Sequence, residues 1–277
     1  MASNFGLIAG PLVLVTAVVG VSLAGCESAE QISETKQSKI KAPGDSHQKG
    51  LDAISREDYD AAFSEWVPLA ASGDSKAQYY LAVMYSQVVE EKDYKEARRL
   101  FKQAADSGLM GAQYQLAVMY TEGLGGPTNY EEAIRLYKAV SKYQQPDAWY
   151  ELGKLYLRGR GVTKDEITAN VFLKKAAEFG HPLAQNNLGV SYQQGRGIEQ
   201  DWLQAYKWFR IAYNLSTGEL PVKQFLVWGT PEWDKHINYI LENFNVVSTK
   251  LSVIERQKAE RLARKWLQGY MNDMKKN

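Results

Sequence analysis

One cysteine, Cys26, and three histidines, His47, His181 and His236, are the side chains of this chain best suited to metal or nucleophilic chemistry. No two of them stand at a ligand spacing such as Cys-x-x-Cys or His-x-x-x-His, so no metal site and no small-molecule cofactor is expected. His181 precedes Pro182 at a junction between elements, where a solvated turn residue is expected. Acids cluster at Glu90, Glu91 and Asp93 and again at Glu131 and Glu132. Both clusters fall at helix starts, where the positive end of the helix dipole favours carboxylates. No catalytic residue is expected. Three Gly-x-Gly turns, at Gly123 and Gly125, Gly159 and Gly161, and Gly195 and Gly197, could cradle a phosphate. They follow helices instead of strands, which removes the dinucleotide-binding context. Glycine at a helix end supplies positive φ instead.

The elements that must position these residues are set by a repeat. KAQYYLAVMY (76–85), GAQYQLAVMY (111–120), DAWYELGKLY (147–156) and LAQNNLGVSY (183–192) superimpose at a period of 35 or 36 residues. Ala77, Ala112, Ala148 and Ala184 mark a first helix, which Tyr85, Tyr120, Tyr156 and Tyr192 close. Ala97, Ala133, Ala169 and Ala205 mark a second helix. In the third copy Ala148, Leu152, Gly153 and Tyr156 share one face, the small residues admitting a partner helix and the large ones filling the seam. Leu100, Phe101 and Ala104, Phe172, Leu173 and Ala176, and Trp208, Phe209 and Ala212 recur in the second helices and read as core. A hairpin of this size cannot bury its own apolar face, so copies must stack. The first copy lacks the glycines, reading Ser86-Gln87-Val88-Val89-Glu90, and its turn must be built differently.

Both ends depart from the period. REDYDAAFSEWVPLAASGD (56–74) matches a second helix, with Asp58-Tyr59 aligning on Asp93-Tyr94 and Ala62 on Ala97. Residues 47–75 are therefore expected to form a degenerate capping copy. After the copies at 76–110, 111–146, 147–182 and 183–215, residues 216–277 supply capping helices. Thr230-Pro231-Glu232 is a helix start, with Trp233, Ile237, Ile240, Leu241 and Phe244 at helical spacing. Ser252-x-x-Glu255 is a capping box. Leu262, Ala263, Trp266 and Tyr270 line one side of the last helix. Arg256, Lys258, Arg261, Arg264 and Lys265 make that helix basic; a solvated face with Arg256 paired to Glu260 is expected.

The 277 residues are 45% hydrophobic, enough for a sizeable core, and carry 33 basic against 32 acidic groups, a net of +1. That balance gives no footprint for nucleic acid. Residues 5–25 carry no charge and end in Leu23-Ala24-Gly25-Cys26, and small residues before a cut are what a secretory signal requires. The box resembles the bacterial lipoprotein signal. That resemblance implies a signal peptide over 1–25, lipid on Cys26, membrane attachment through it, and an outer-membrane site facing the periplasm, since Glu27 follows. An uncleaved N-terminal membrane anchor is the alternative, because the apolar run is long enough to span a bilayer core of ~30 Å. Residues 26–46 read as a flexible tether reaching on the order of 25 Å.

The repeats resemble the Sel1-like repeat, a relative of the tetratricopeptide repeat, with its pattern Ala-x-x-x-Leu-Gly-x-x-Tyr, Gly-x-Gly, Ala, Ala-Ala and Gly. The third copy shows it as AWYELGKLYLRGRGVTKDEITANVFLKKAAEFG (148–180), and the closing ERQKAERLARKW (255–266) resembles tails of bacterial members. The resemblance implies an all-α, right-handed α-α solenoid of helix-turn-helix repeats with terminal capping helices. It implies a non-catalytic scaffold or adaptor at the cell envelope that binds another protein or peptide on its concave face. Tyr79, Tyr114, Tyr150 and Asn186, two residues after each marker alanine, would line that face with Lys154 one turn on. The other reading is that these tyrosines pack copies together. Two further functions stand beside the adaptor: an immunity or inhibitor protein neutralising a secreted toxin or lipase, and a hydrolase of the β-lactam-acting repeat type. The latter relatives carry a cysteine pair in each repeat, which this chain lacks.

Overall fold

Nine alanines lie at the points where helices cross, and each is completely buried: Ala62, Ala77, Ala97, Ala112, Ala133, Ala148, Ala169, Ala184 and Ala205. With only a methyl group to accommodate, the helix axes approach closely and neighbouring Leu and aromatic side chains fill the flanks. The computed structural model describes residues 43–88, 92–217 and 231–274, and the elements among them are helical. In chain order they are α1 (Pro43–Ser55), α2 (Tyr59–Ala71), α3 (Ser75–Val83), α4 (Tyr94–Asp106), α5 (Met110–Glu122) and α6 (Tyr130–Ser141). α7 (Pro146–Arg158), α8 (Glu166–Glu178), α9 (Pro182–Gln194), α10 (Trp202–Ser216), α11 (Pro231–Ser248) and α12 (Val253–Met274) follow. This is an α-α solenoid of helix-turn-helix repeats. α1 begins inside the segment 26–46 read as a tether. The lipid-bearing Cys26 and the helix-start residue Thr230 lie outside the described residues.

The chain divides into two compact units at Leu136 and Tyr137, within α6. In the first unit α1 to α5 each pack on the next along the chain. Trp66 of α2 is buried and stacks on Tyr80 of α3 at 4.7 Å. In the second unit α7 to α10 pack in the same sequential way, and α10 also carries α11 and α12. One core cluster joins Trp149, Leu173, Leu188, Trp208, Ile211 and Leu215 to Ala263 and Leu267 of α12. A second joins Tyr206 and Phe209 to Val247, Leu251 and Ala259.

The turns repeat as faithfully as the crossings. Asp58, Asp93, Asn129, Asp165 and Asp201 each accept a backbone N–H from the first turn of the following helix, at 2.9–3.1 Å. Four of them, from Asp93 onward, also donate their own backbone N–H to the carbonyl of Tyr85, Tyr120, Tyr156 or Tyr192, at 2.9–3.1 Å. One short residue thus caps one helix and ties it to the end of the other. The second glycine of a Gly-x-Gly has a separate duty. Gly197 (φ +63°) lies against the start of α8 in the preceding copy, where a methyl group would come within 2.4 Å of the Glu166 carbonyl carbon. The first copy, without glycine, widens from α3 into a π-helical turn at Met84–Val88, with Ser86 Oγ donating to the Val83 carbonyl.

Glycine inside the helices tests the close-approach argument. A methyl group on Gly189 of α9 would come 2.7 Å from the fully buried ring of Phe209. Helix propensity alone would make Gly189→Ala stabilising by up to ~1 kcal/mol. Overpacking costs about 1–3 kcal/mol, so a net loss is expected. Asp201→Ala, which removes the cap of α10, is expected to cost about 1 kcal/mol. Urea unfolding midpoints of the two variants check both signs; a more stable Gly189→Ala would refute the packing account.

Candidate interaction surface

Two of the five residues anticipated as partner-facing are interior and three are partly buried. Tyr79 is 3% exposed and meets Phe101 edge-to-face at 5.7 Å and Tyr80 at 5.8 Å. Asn186 is 2% exposed, and its side-chain oxygen accepts from Asn243 of α11 at 3.2 Å. These two positions are corrected from partner-binding to packing. In these two copies the side chain two residues beyond the marker alanine turns toward a neighbouring helix and fills the seam. Tyr150 lies between these extremes: its ring stacks on His181 at 4.4 Å, and burial raises its hydroxyl pKa. Tyr114 in the first unit and Lys154 in the second are only partly buried. The Lys154 ammonium lies 5.0 Å from the centre of the Tyr150 ring and 2.7 Å from Glu151.

His181 serves the backbone and His47 a capping side chain. His181 is 5% exposed, which corrects the expectation of a solvated turn residue. It is the N-cap of α9: Nδ1 accepts the Ala184 N–H at 3.2 Å. That assigns the ring proton to Nε2, which faces Asp147 Oδ1 at 3.4 Å. His47 of α1 lies 3.0 Å from Asp74, the N-cap of α3. Among the described residues no group of three or more His, Cys, Asp or Glu comes together in the way that a metal would require.

Side chains absent from the sequence reading join one copy to its neighbour. Gln78, Gln113 and Gln185 each follow a marker alanine and donate to the carbonyls of Ala70, Ala105 and Ala177, eight residues back, at 3.0–3.4 Å. Arg98 follows Ala97 and donates forward to Pro127 at 2.9 Å; Asn170 follows Ala169 and donates to Arg196 at 2.6 Å. Periodic glutamine was the available signal for the first set. The second set changes residue type from copy to copy, which hides it.

In the second unit a cleft of about 660 Å³ opens between α8, the turn at 198–201, α10 and α12. Lys174, Glu178, Gln204, Lys207, Trp208 and Trp266 are among its walls. The Lys207 ammonium lies 4.1 Å from the centre of the Trp208 ring, and burial holds its pKa below the usual lysine range. On the far side of α10, Tyr206 donates to Glu260 of α12 at 3.0 Å, and Arg210 approaches the same carboxylate at 3.2 Å. Glu260 therefore turns inward to α10, which corrects the expected pairing with Arg256. Burial and the Glu260 hydrogen bond push the Tyr206 hydroxyl up to about 12. Among the described residues no helix is long and apolar enough to cross a membrane.

Short helical pairs crossing at alanine, tied by capped turns and exposing long outer faces, define a repeat protein of the α-α solenoid class. The Sel1 repeat profile matches residues 75–109, 111–139, 146–181 and 182–216, and the chain belongs to the Sel1 repeat family. Sel1 repeat proteins act as protein-interaction scaffolds. The chain is similar to a protective antigen of uropathogenic Escherichia coli strains with an SLR fold, at 26% identity and a TM-score of 0.69. The match covers 92% of this chain and 50% of that one, so this chain spans about half its length. A Sel1 repeat protein from Oxalobacter formigenes is similar at 21% identity, covering 82% of this chain and 99% of that one, with a TM-score of 0.57. That likeness concerns the fold. No curated protein matches the chain.

Burial makes two expectations here. Tyr79→Ala should cost about 3 kcal/mol or more, as for other buried aromatics, and Tyr114→Ala clearly less. Thermal unfolding of the two variants decides between seam and surface. Tyr206→Phe removes a hydrogen bond to a charged group, worth about 1.5 kcal/mol or more. Because the Tyr206 pKa is raised on folding, its contribution is full below pH 10 and declines as pH climbs from there toward about 12. Alkaline denaturation of wild type should show that decline, and the phenylalanine variant should lack it.

Proposed function

We propose that the chain is a non-catalytic, lipid-anchored adaptor of the bacterial cell envelope that holds a protein or peptide partner. The observation that carries the binding reading is the run of four Sel1 repeats over residues 75–216. Their buried positions are occupied by packing and capping groups, so the surface left between them is the resource that such a chain can offer. The anchoring reading is supported by Leu23-Ala24-Gly25-Cys26 at the end of an uncharged segment, upstream of the first described helix at Pro43. A single acyl chain gives only reversible attachment, so stable anchoring through Cys26 requires more than one. Tyr114 and Lys154 are the partner-facing candidates that keep side-chain surface.

Two measurements test this. Cells expressing wild type should incorporate labelled palmitate into the protein and recover it with the outer membrane. Cys26→Ser should do neither. Wild type that stays membrane-bound at full precursor mass without taking up the label would instead establish the uncleaved anchor. For binding, cross-linked partners recovered from native envelopes with wild type should be depleted with Tyr114→Ala or Lys154→Ala. Identical recovery from all three proteins would remove those residues from the contact.

A further inference from the structure

The near-neutral charge of the chain conceals a local excess. Lys250, Arg256, Lys258, Arg261, Arg264 and Lys265 stand against Glu255 and Glu260 alone, a surplus of four positive charges in a protein whose total is +1. Both acids are already engaged. Glu255 accepts the backbone N–H and the hydroxyl of Ser252, at 2.8 and 2.7 Å, closing the capping box of α12. Glu260 faces α10 through Tyr206 and Arg210. Arg264 approaches the other Glu260 oxygen only at 4.0 Å, and Lys258, Arg261, Arg264 and Lys265 are exposed on α12.

Helical spacing collects them on one side. Ala259, Ala263 and Leu267 face the core; Ile254, Lys258, Arg261 and Lys265 fall on the opposite side, and Val253 and Arg264 on the flank between. Val253 and Ile254 are 61% and 76% exposed, among the most exposed aliphatic side chains described. An open, shallow cleft of about 500 Å³ runs along that flank, lined by Val253, Arg256, Gln257, Glu260, Arg261 and Arg264. Guanidinium groups around a hollow suit forked, two-point binding of carboxylates. An aliphatic shoulder beside them suits an apolar side chain on the same ligand.

We infer that the outward face of α12 is a docking site for an acidic peptide segment of a partner protein, one that sets apolar side chains among its carboxylates. The inference rests on the scaffold reading and names the chemistry of its partner. Its carboxylates meet Arg261 and Arg264, and its apolar residues cover Val253 and Ile254.

The test uses the full chain in detergent and a fluorescein-labelled, end-blocked peptide of repeated Asp-Glu-Leu units. Fluorescence anisotropy should show saturable binding that weakens with added salt. Arg261→Glu with Arg264→Glu should reduce affinity by about tenfold or more, because attraction becomes repulsion. Ile254→Asp should reduce it severalfold while leaving the melting temperature unchanged. Replacing Leu by Ser in the peptide should also weaken it. Absence of binding to wild type, or equal binding by wild type and the Arg261, Arg264 double variant, would overturn the inference. So would equal binding of the serine peptide. Displacement of the peptide by phosphatidylglycerol vesicles that bind more tightly would reassign the face to membrane. Loss of binding in Tyr114→Ala with the arginine variant unaffected would move the site elsewhere and leave the scaffold reading intact.

Discussion

The close approach of two helices over an alanine is the interaction on which this protein depends. Each marker alanine is fully buried, from Ala62 in the first pair to Ala205 in the last complete one. A larger residue there would separate the axes and open voids beside Leu152, Leu173 and Leu188, which are now at most 1% exposed. Apolar burial is worth roughly 25 cal/mol per Å², so the energy comes from the large side chains. The small ones decide whether those side chains meet. Gly153 and Gly189 extend the same logic: methyl groups there would press against Leu173 and Phe209.

The turns complete what the crossings begin. A capping Asp or Asn satisfies N–H groups at one helix start while its own N–H satisfies a tyrosine carbonyl at the end of the other helix. The tyrosine is thus placed by its backbone as much as by its ring. Glutamines reaching back eight residues close the helix ends on the opposite side of each copy. Few of these groups are left for a ligand, which is why polar residues at regular spacing here report architecture.

The fold was legible because its determinants recur. Alanine, tyrosine and glycine at a fixed period identify which side of each helix is inside, and four copies average out local accidents. The capping box at Ser252 and Glu255 was equally readable, being contained in four residues. The interaction surface was not. Tyr79 and Asn186 share a repeat position with Tyr114, yet their exposure differs because each depends on the helix packed above it. His181 looked like a turn residue from its neighbour Pro182; its burial comes from Tyr150, in an earlier helix. Glu260 had a local partner available in Arg256 and took one 54 residues away instead.

In two copies the residue after the second-helix alanine reaches forward: Arg98 and Asn170 grip the loop of the copy that follows. In the fourth copy that residue is Tyr206, and its hydroxyl finds Glu260 of α12. The last helix therefore answers the same handhold that another copy would use. An array built from interchangeable parts has no intrinsic length, and an open end would invite a second molecule to continue it. By occupying that place with a different pattern, α12 covers the end of the fourth copy and gives the array a defined length.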